Sequence, residues 1–309
     1  MSIDGWIVLD KPLGLGSTQA VAAIKRIARS SGYGKIKIGH GGTLDPLATG
    51  VLPIALGEAT KLAGRMLDAT KTYSFAVRFG RQTDTLDGEG QVIATSAVQP
   101  APGAVAQIVA SQFTGPIRQI PPAYSAILID GQRAYDRARA GETVAMQPRA
   151  VTILHWGAIT EHDCDGEREA RLTVTVSKGT YIRSLARDIA LALGTVGHVT
   201  ALRRLRAGPF GIAAAISLDK LAADAKRASL ENAILPLEAG LDDIPALNLD
   251  PDQARAVRQG RILTGLPQSD GLWFARQGLV PVALAELAGG DLRVVRGFNF
   301  PDVVEDQSS

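Results

Sequence analysis

Cysteine is almost absent from this sequence of 309 residues; Cys164 stands alone. One thiol cannot close an internal disulfide or pair with a second thiolate around zinc. The core must therefore hold itself together, and a reducing compartment suits the chain. The four histidines (His40, His155, His162 and His198) are scattered without ligand spacing, so no metal is expected. No apolar run approaches the ~18 residues needed to cross a bilayer. The opening stretch, Met1 to Pro12, has no basic segment leading into an apolar run, which predicts a cytoplasmic protein without a signal peptide. Three catalytic signatures are also missing: a Gly-x-Gly-x-x-Gly after a strand, a phosphate loop ending in Gly-Lys-Ser/Thr, and a Gly-x-Ser-x-Gly elbow. Their absence argues against dinucleotide-binding, P-loop and serine-hydrolase chemistry.

What is present is an ordinary globular composition, 46% hydrophobic and 21% charged. It can bury a sizeable core in one large domain, or in a large domain with a small one. The net charge is only +2, yet the charges are segregated. Lys11 to His40 carries Lys11, Lys25, Arg26, Arg29, Lys35 and Lys37 with no acid. Lys178 to Arg206 carries six bases against Asp188 alone, and Glu238 to Asp252 has five acids and no base. Such segregation either draws phosphate to one face or marks solvated helix surfaces.

Periodicity predicts a short strand over Ile7 to Leu9, then a helix from an N-cap at Ser17 through Arg29. A short strand over Lys35 to Ile38 leads into a turn-rich loop, Gly39 to Pro46. Tyr73, Phe75, Val77 and Phe79 alternate along a strand over Thr72 to Phe79. A helix is expected within Pro102 to Phe113. Strands are expected at Tyr124 to Ile129, Val151 to Thr160 and Leu172 to Val176, and an amphipathic helix carries Ile182, Leu185, Ile189 and Leu193. The pattern predicts an α+β fold around a largely antiparallel sheet. The acidic, proline-bearing stretch Glu238 to Asp252 is the expected linker to a small β-rich module, and Asp302 to Ser309 is expected to be disordered.

Four segments carry residue types suited to chemistry. In His40-Gly41-Gly42-Thr43-Leu44-Asp45-Pro46-Leu47-Ala48-Thr49-Gly50, glycines admit a close ligand and Pro46 keeps Asp45 out of helical geometry. Asp45 is then either a nucleophile or base, or only the cap of a turn. Tyr73 in Lys71-Thr72-Tyr73 is either functional or a core aromatic. In Ser177 to Arg183 a Gly-Thr pair opens a helix with Tyr181 and Arg183 in its first turn. Arg183 either pairs with a carboxylate or lies on the surface. Leu202-Arg203-Arg204-Leu205-Arg206 either contacts phosphates or guards a sheet edge.

Taken together these segments resemble the TruB family of tRNA pseudouridine synthases. So do Leu9-Asp10-Lys11-Pro12, Gly57-Glu58-Ala59-Thr60-Lys61 and Arg81-Gln82-Thr83-Asp84-Thr85-Leu86-Asp87, all in the family's order. The resemblance implies a mixed α/β catalytic domain over residues 1–243, with an RNA-gripping insertion at 121–144. A small module resembling the PUA RNA-binding domain would follow over 244–309. It further implies isomerisation of uridine 55 in the T arm of tRNA, by an enzyme that needs no cofactor, membrane or obligate protein partner and works as a monomer. Asp45 matches the catalytic carboxylate, whose attack on sugar, addition to base or abstraction of a sugar proton all stay open. Tyr73 matches the aromatic that stacks on the flipped base. Tyr181 and Leu202 match pocket positions, and Arg183 matches the partner that orients Asp45, with Asp87 completing the network. His40 matches a residue that fills the T loop after flipping, and Gly42 and Thr43 belong to the same binding loop. Lys11, Lys61, Arg203 and Arg204 are expected on phosphates. Two alternatives are an RNA-guided pseudouridine synthase, disfavoured by the lack of basic extensions, and a non-catalytic tRNA-folding protein, disfavoured by the intact Asp45, Tyr73 and Arg183.

Overall fold

The computed structural model describes residues 3–164, 166–227 and 229–300; the tail expected to be disordered lies outside them. A ten-stranded sheet dominates. Its main path runs Ile216–Ser217, Gly5–Lys11, Ala48–Leu56, Gly197–Ala207, Lys71–Phe79, Glu167–Val176, Arg149–Cys164, Gly115–Gln119. Most junctions are antiparallel. The parallel ones are at Leu9↔Ile216 and at the centre, where Leu202, Arg203 and Arg204 face Ala48, Thr49 and Gly50. The expected α+β architecture with a largely antiparallel sheet is thus what the chain forms.

The central strands are buried on both sides, which explains their nearly continuous apolar character. Along Gly5–Lys11, Ile7 and Leu9 enter one core while Trp6 and Val8 enter another. The first core lies under the helices Ser17–Ser30, Ala104–Gln112 and Ile182–Ala192 and takes Phe75, Val77 and Phe79 from the alternating strand. In the helix Ile182–Ala192, Ile182, Leu185 and Ile189 point inward at the spacing read from the sequence. The second core joins the large sheet to a four-stranded sheet formed by Ala246–Asn248, Gly271–Gln277, Val280–Ala288 and Asp291–Gly297. Trp6, Val8 and Phe210 meet Phe274, Leu284 and Phe298 there. The Trp6 indole donates to Leu237 O at 3.0 Å, and a Cβ on Gly240 would come within 2.8 Å of its ring. Truncating such a buried Trp costs about 3–5 kcal/mol.

Several local expectations are corrected. Gly16, not Ser17, caps the first helix; Ser17 is drawn away from capping because its hydroxyl bonds the backbone of Leu44. The strand expected at Lys35 forms at Ile38–His40, where pairing with Ile54 to Leu56 is available. Of Tyr124 to Ile129 only Leu128–Ile129 is extended, in a small hairpin with Gln132–Arg133. The acidic stretch Glu238 to Asp252 is no free linker. Leu241, Leu247 and Leu249 are buried, and Ala246–Asn248 pairs in parallel with Gly271–Gln277. No helix of the described residues is long and apolar enough to cross a membrane.

Candidate active site

The central parallel junction sets the position of the Asp45 loop. The loop enters from Ile38–His40 and leaves into Ala48–Leu56, so both ends are fixed by sheet pairing. Gly50 sits in the left-handed region, φ +97°, and a Cβ there would fall 2.2 Å from Arg204 O. Only glycine lets the two backbones meet this closely.

Behind the loop, each carbonyl from residue 42 to 46 has a donor. Arg204 donates from Nη2 to Gly42 O (3.1 Å), from Nη1 to Thr43 O (3.3 Å) and from Nε to Val51 O (2.7 Å). Ser17 Oγ donates to Leu44 O at 2.9 Å and accepts from Leu44 N at 2.8 Å. Ala48 N donates to Asp45 O, and Gly14 N and Lys11 Nζ both donate to Pro46 O. Lys11 also donates to Leu15 O at 2.7 Å. Lys11 and Arg204 are fully buried. Burial pulls the Lys11 ammonium down to about 8, opposed by the charge of Asp45. Lys71, donating to Leu67 O and Ala69 O, is likewise pulled down to about 8 by burial and by the Arg204 charge.

With its backbone satisfied from behind, the loop turns the Asp45 side chain outward. The carboxylate is 42% exposed, and its Oδ2 lies 2.8 Å from Nη2 of Arg183, whose side chain is buried. Arg183 is itself held by Asp87 (3.5 Å), by Thr85 O (2.9 Å) and by Tyr124 O (2.9 Å). Asp87 accepts from Thr85 Oγ1 and from Glu89 N. Between Thr85 and Asp87, Leu86 has φ +64°, uncommon for a residue with a side chain. This twist turns both Thr85 O and the Asp87 carboxylate onto one guanidinium. Asp45 and Arg183 share a pocket of about 200 Å³ with Thr43, Tyr73, Ser125, Tyr181 and Leu202. Tyr181 is fixed through its backbone. The fully buried Gln119 accepts from Tyr181 N at 2.8 Å and donates to Tyr181 O at 3.1 Å. Burial raises the pKa of the Tyr181 phenol.

The site residues expected from the sequence thus divide. Asp45, Tyr73, Arg183, Tyr181, Leu202 and Thr43 line one pocket, with Asp87 behind Arg183. His40 is not among the residues lining it; it is half-buried, its pKa lowered by burial and by Arg204, and its buried Nδ1 has no hydrogen-bond partner among the described residues. Gly42, at φ +121°, gives its carbonyl to Arg204. The phosphate contacts expected of Lys11 and Arg204 are corrected, since both cations are sealed beneath the loop and satisfied by carbonyls. Arg203 faces outward but forms a two-pronged pair with Asp10 at 3.0 and 2.8 Å. Lys61 is bonded to Glu58 and to Gly297 O, tying the large sheet to the small one. Ser17, Thr85 and Gln119 were missed. Nothing in their side-chain chemistry marks them, because each acts across 27 or more residues, and Thr85 does so through its backbone carbonyl.

An arginine-oriented carboxylate facing two tyrosines, on a mixed sheet, suits reaction at a stacked aromatic base held in a pocket. Comparison with known proteins defines the class as that of the pseudouridine synthases. One family model, described as TruB family pseudouridylate synthase (N terminal domain), matches residues 26–182; another, described as tRNA pseudouridylate synthase B C-terminal domain, matches 183–242. The chain belongs to the TruB family. It is 66% identical to the tRNA pseudouridine synthase B of Novosphingobium aromaticivorans, over 98% of this chain and all of that one. It is 54% identical to that of Zymomonas mobilis, over 97% of both. Among solved structures, that of a Cbf5-Nop10-Gar1 complex aligns with TM-score 0.70 and 28% identity, covering 96% of this chain and 85% of that one. The boundary between the two family models falls at the start of the helix Ile182–Ala192, inside the main core.

Proposed function

We propose that the chain converts uridine 55 in the T arm of tRNA to pseudouridine, acting alone as a cytoplasmic monomer. Its relatives' names support tRNA as substrate. The observation that carries the reading is the half-exposed Asp45 carboxylate, bonded at 2.8 Å to a buried Arg183 on the floor of a pocket walled by Tyr73 and Tyr181. The base is flipped out of its stack and held against the tyrosines, which repays unstacking. The N1–C1′ bond breaks and a C5–C1′ bond forms to the same sugar. The C5 proton leaves to solvent, with the Tyr73 phenol as the group beside it, and N1 takes up a proton. No electrons enter or leave, so the reaction calls for no redox cofactor. Arg183 and Asp87 orient the reacting carboxylate, and His40 fills the T loop where the base was. Residues 1–243 form the catalytic unit. Within it 121–144 grips the RNA, a role favoured by Tyr124 and Ser125 at the pocket and by Arg133, Arg137 and Arg139 beyond it. The β-rich residues from 244 onward act as a PUA-like RNA-binding module.

The test is tritium release from C5-labelled uridine in an unmodified tRNA transcript, with purified chain and no other component. Wild type is expected to release label from one T-loop site and Asp45→Asn to release none. Equal release by both would reduce Asp45 to a loop cap, and no release by wild type would favour a guided enzyme.

A further inference from the structure

Around the pocket most cations are already engaged. Arg183 pairs with Asp45, Lys178 with Asp68 and Arg187 with Asp188. Arg149 differs. It opens the strand Arg149–Cys164 and is half-buried, yet among the described residues no carboxylate or carbonyl engages its guanidinium. Its one close partner is the Tyr181 ring, 5.7 Å from the guanidinium carbon to the ring centroid. It also borders the Gly179 to Arg183 wall, since a Cβ on Gly179 would lie 3.8 Å from Arg149 Nη1. The placement is rigid. Arg149 is paired in the sheet with Gln119, the residue whose amide grips the backbone of Tyr181. One residue therefore ties the two together: its backbone pairs with that of Arg149, and its side-chain amide holds the backbone of Tyr181.

A guanidinium held over an aromatic ring by cation–π attraction makes no hydrogen bond to it, so its N–H donors stay available and match two oxygens of a phosphate. A nucleotide turned into the pocket leaves its own phosphates at the lip, where a cation without a carboxylate partner is waiting. We propose that Arg149 is an RNA-backbone site: it binds the phosphodiester adjoining the flipped nucleotide, and its position over the Tyr181 ring fixes the distance from phosphate to base. This rests on the pocket being the nucleotide site. Lysine can keep the charge there but not the two-pronged geometry.

The test is equilibrium binding of an unmodified tRNA transcript to the full chain in an Asp45→Asn background, between about 50 and 200 mM salt. Adding Arg149→Ala is expected to weaken binding about tenfold and to lower the slope of log affinity against log salt by about 1. Arg149→Lys is expected to keep the slope. An unchanged slope in Arg149→Ala overturns the proposal, even with weaker binding, because it leaves Arg149 as a prop for Tyr181. The wild type's product on the same transcript reports separately on the catalytic reading, so the two can fail independently.

Discussion

The two sides of the Asp45 loop solve different problems with the same residue types. The underside uses Arg204, Lys11 and Ser17, all buried, all bonded to backbone carbonyls or amides. The outer side uses Arg183, which reaches the Asp45 carboxylate and two carbonyls from segments far away in sequence, Thr85 and Tyr124. Underside contacts fix where the chain runs; outer contacts fix where one carboxylate points. A buried cation on carbonyls holds backbone in place, whereas a buried cation on a half-exposed carboxylate holds a side chain that meets solvent. The difference lies in what the far end touches, since the two arginines are almost equally buried.

The sharpest way to break this distinction is Arg183→Lys. A single ammonium cannot hold Asp45, Thr85 O and Tyr124 O at once. The single-turnover rate should fall at least about 100-fold, as misplacement of a reacting group does. Arg204→Met should do the reverse. Leaving Gly42, Thr43 and Val51 carbonyls without a donor should lower stability by about 3 kcal/mol in denaturant melts, with a rate loss nearer tenfold. Equal rate losses with stability intact would collapse the comparison. Ser17→Ala removes a hydroxyl that serves both backbone groups of Leu44. It should cost about 1–2 kcal/mol by the same melts and only a few-fold in rate. The smallest effect concerns pH. Lys11 is pulled down to about 8 from an unfolded value near 10.5. Between those values the unfolded chain binds more protons than the folded one, so this group makes stability rise with pH. The cost of its buried charge is fully present below about pH 8 and fades towards 10.5. Over that window wild type should gain stability relative to Lys11→Met; parallel curves would show that Lys11 titrates normally.

The elements that frame the pocket were legible because they follow simple periods. Alternation gave the strand of Tyr73 and Phe75, and a 3.6-residue spacing gave the helix that begins at Ile182. The Gly- and Pro-rich composition marked the Asp45 loop as a turn exposed to ligand. Charge, by contrast, carries no sign of burial. Lys11 and Arg204 read as phosphate contacts, yet they lie under the loop. A signal existed for Arg204, which stands two residues after Leu202 and so shares its face of the strand. No such signal existed for Gln119 or for the carbonyl of Tyr124, whose partners arrive only through the tertiary fold. The Arg183 to Asp45 pair spans 138 positions and was reached through family resemblance rather than spacing.

The core shared by Trp6, Phe210, Phe274 and Phe298 has a consequence for incomplete chains. Synthesis halted near Asp243, or a cut there, would leave Leu237 and Leu241 on the large sheet but strip away Phe274, Leu284 and Phe298, so part of its apolar face would lose its cover. Such a fragment would expose apolar surface that favours association with chaperones and proteases. Whole-chain synthesis and a covered second core are thus the same event for this fold.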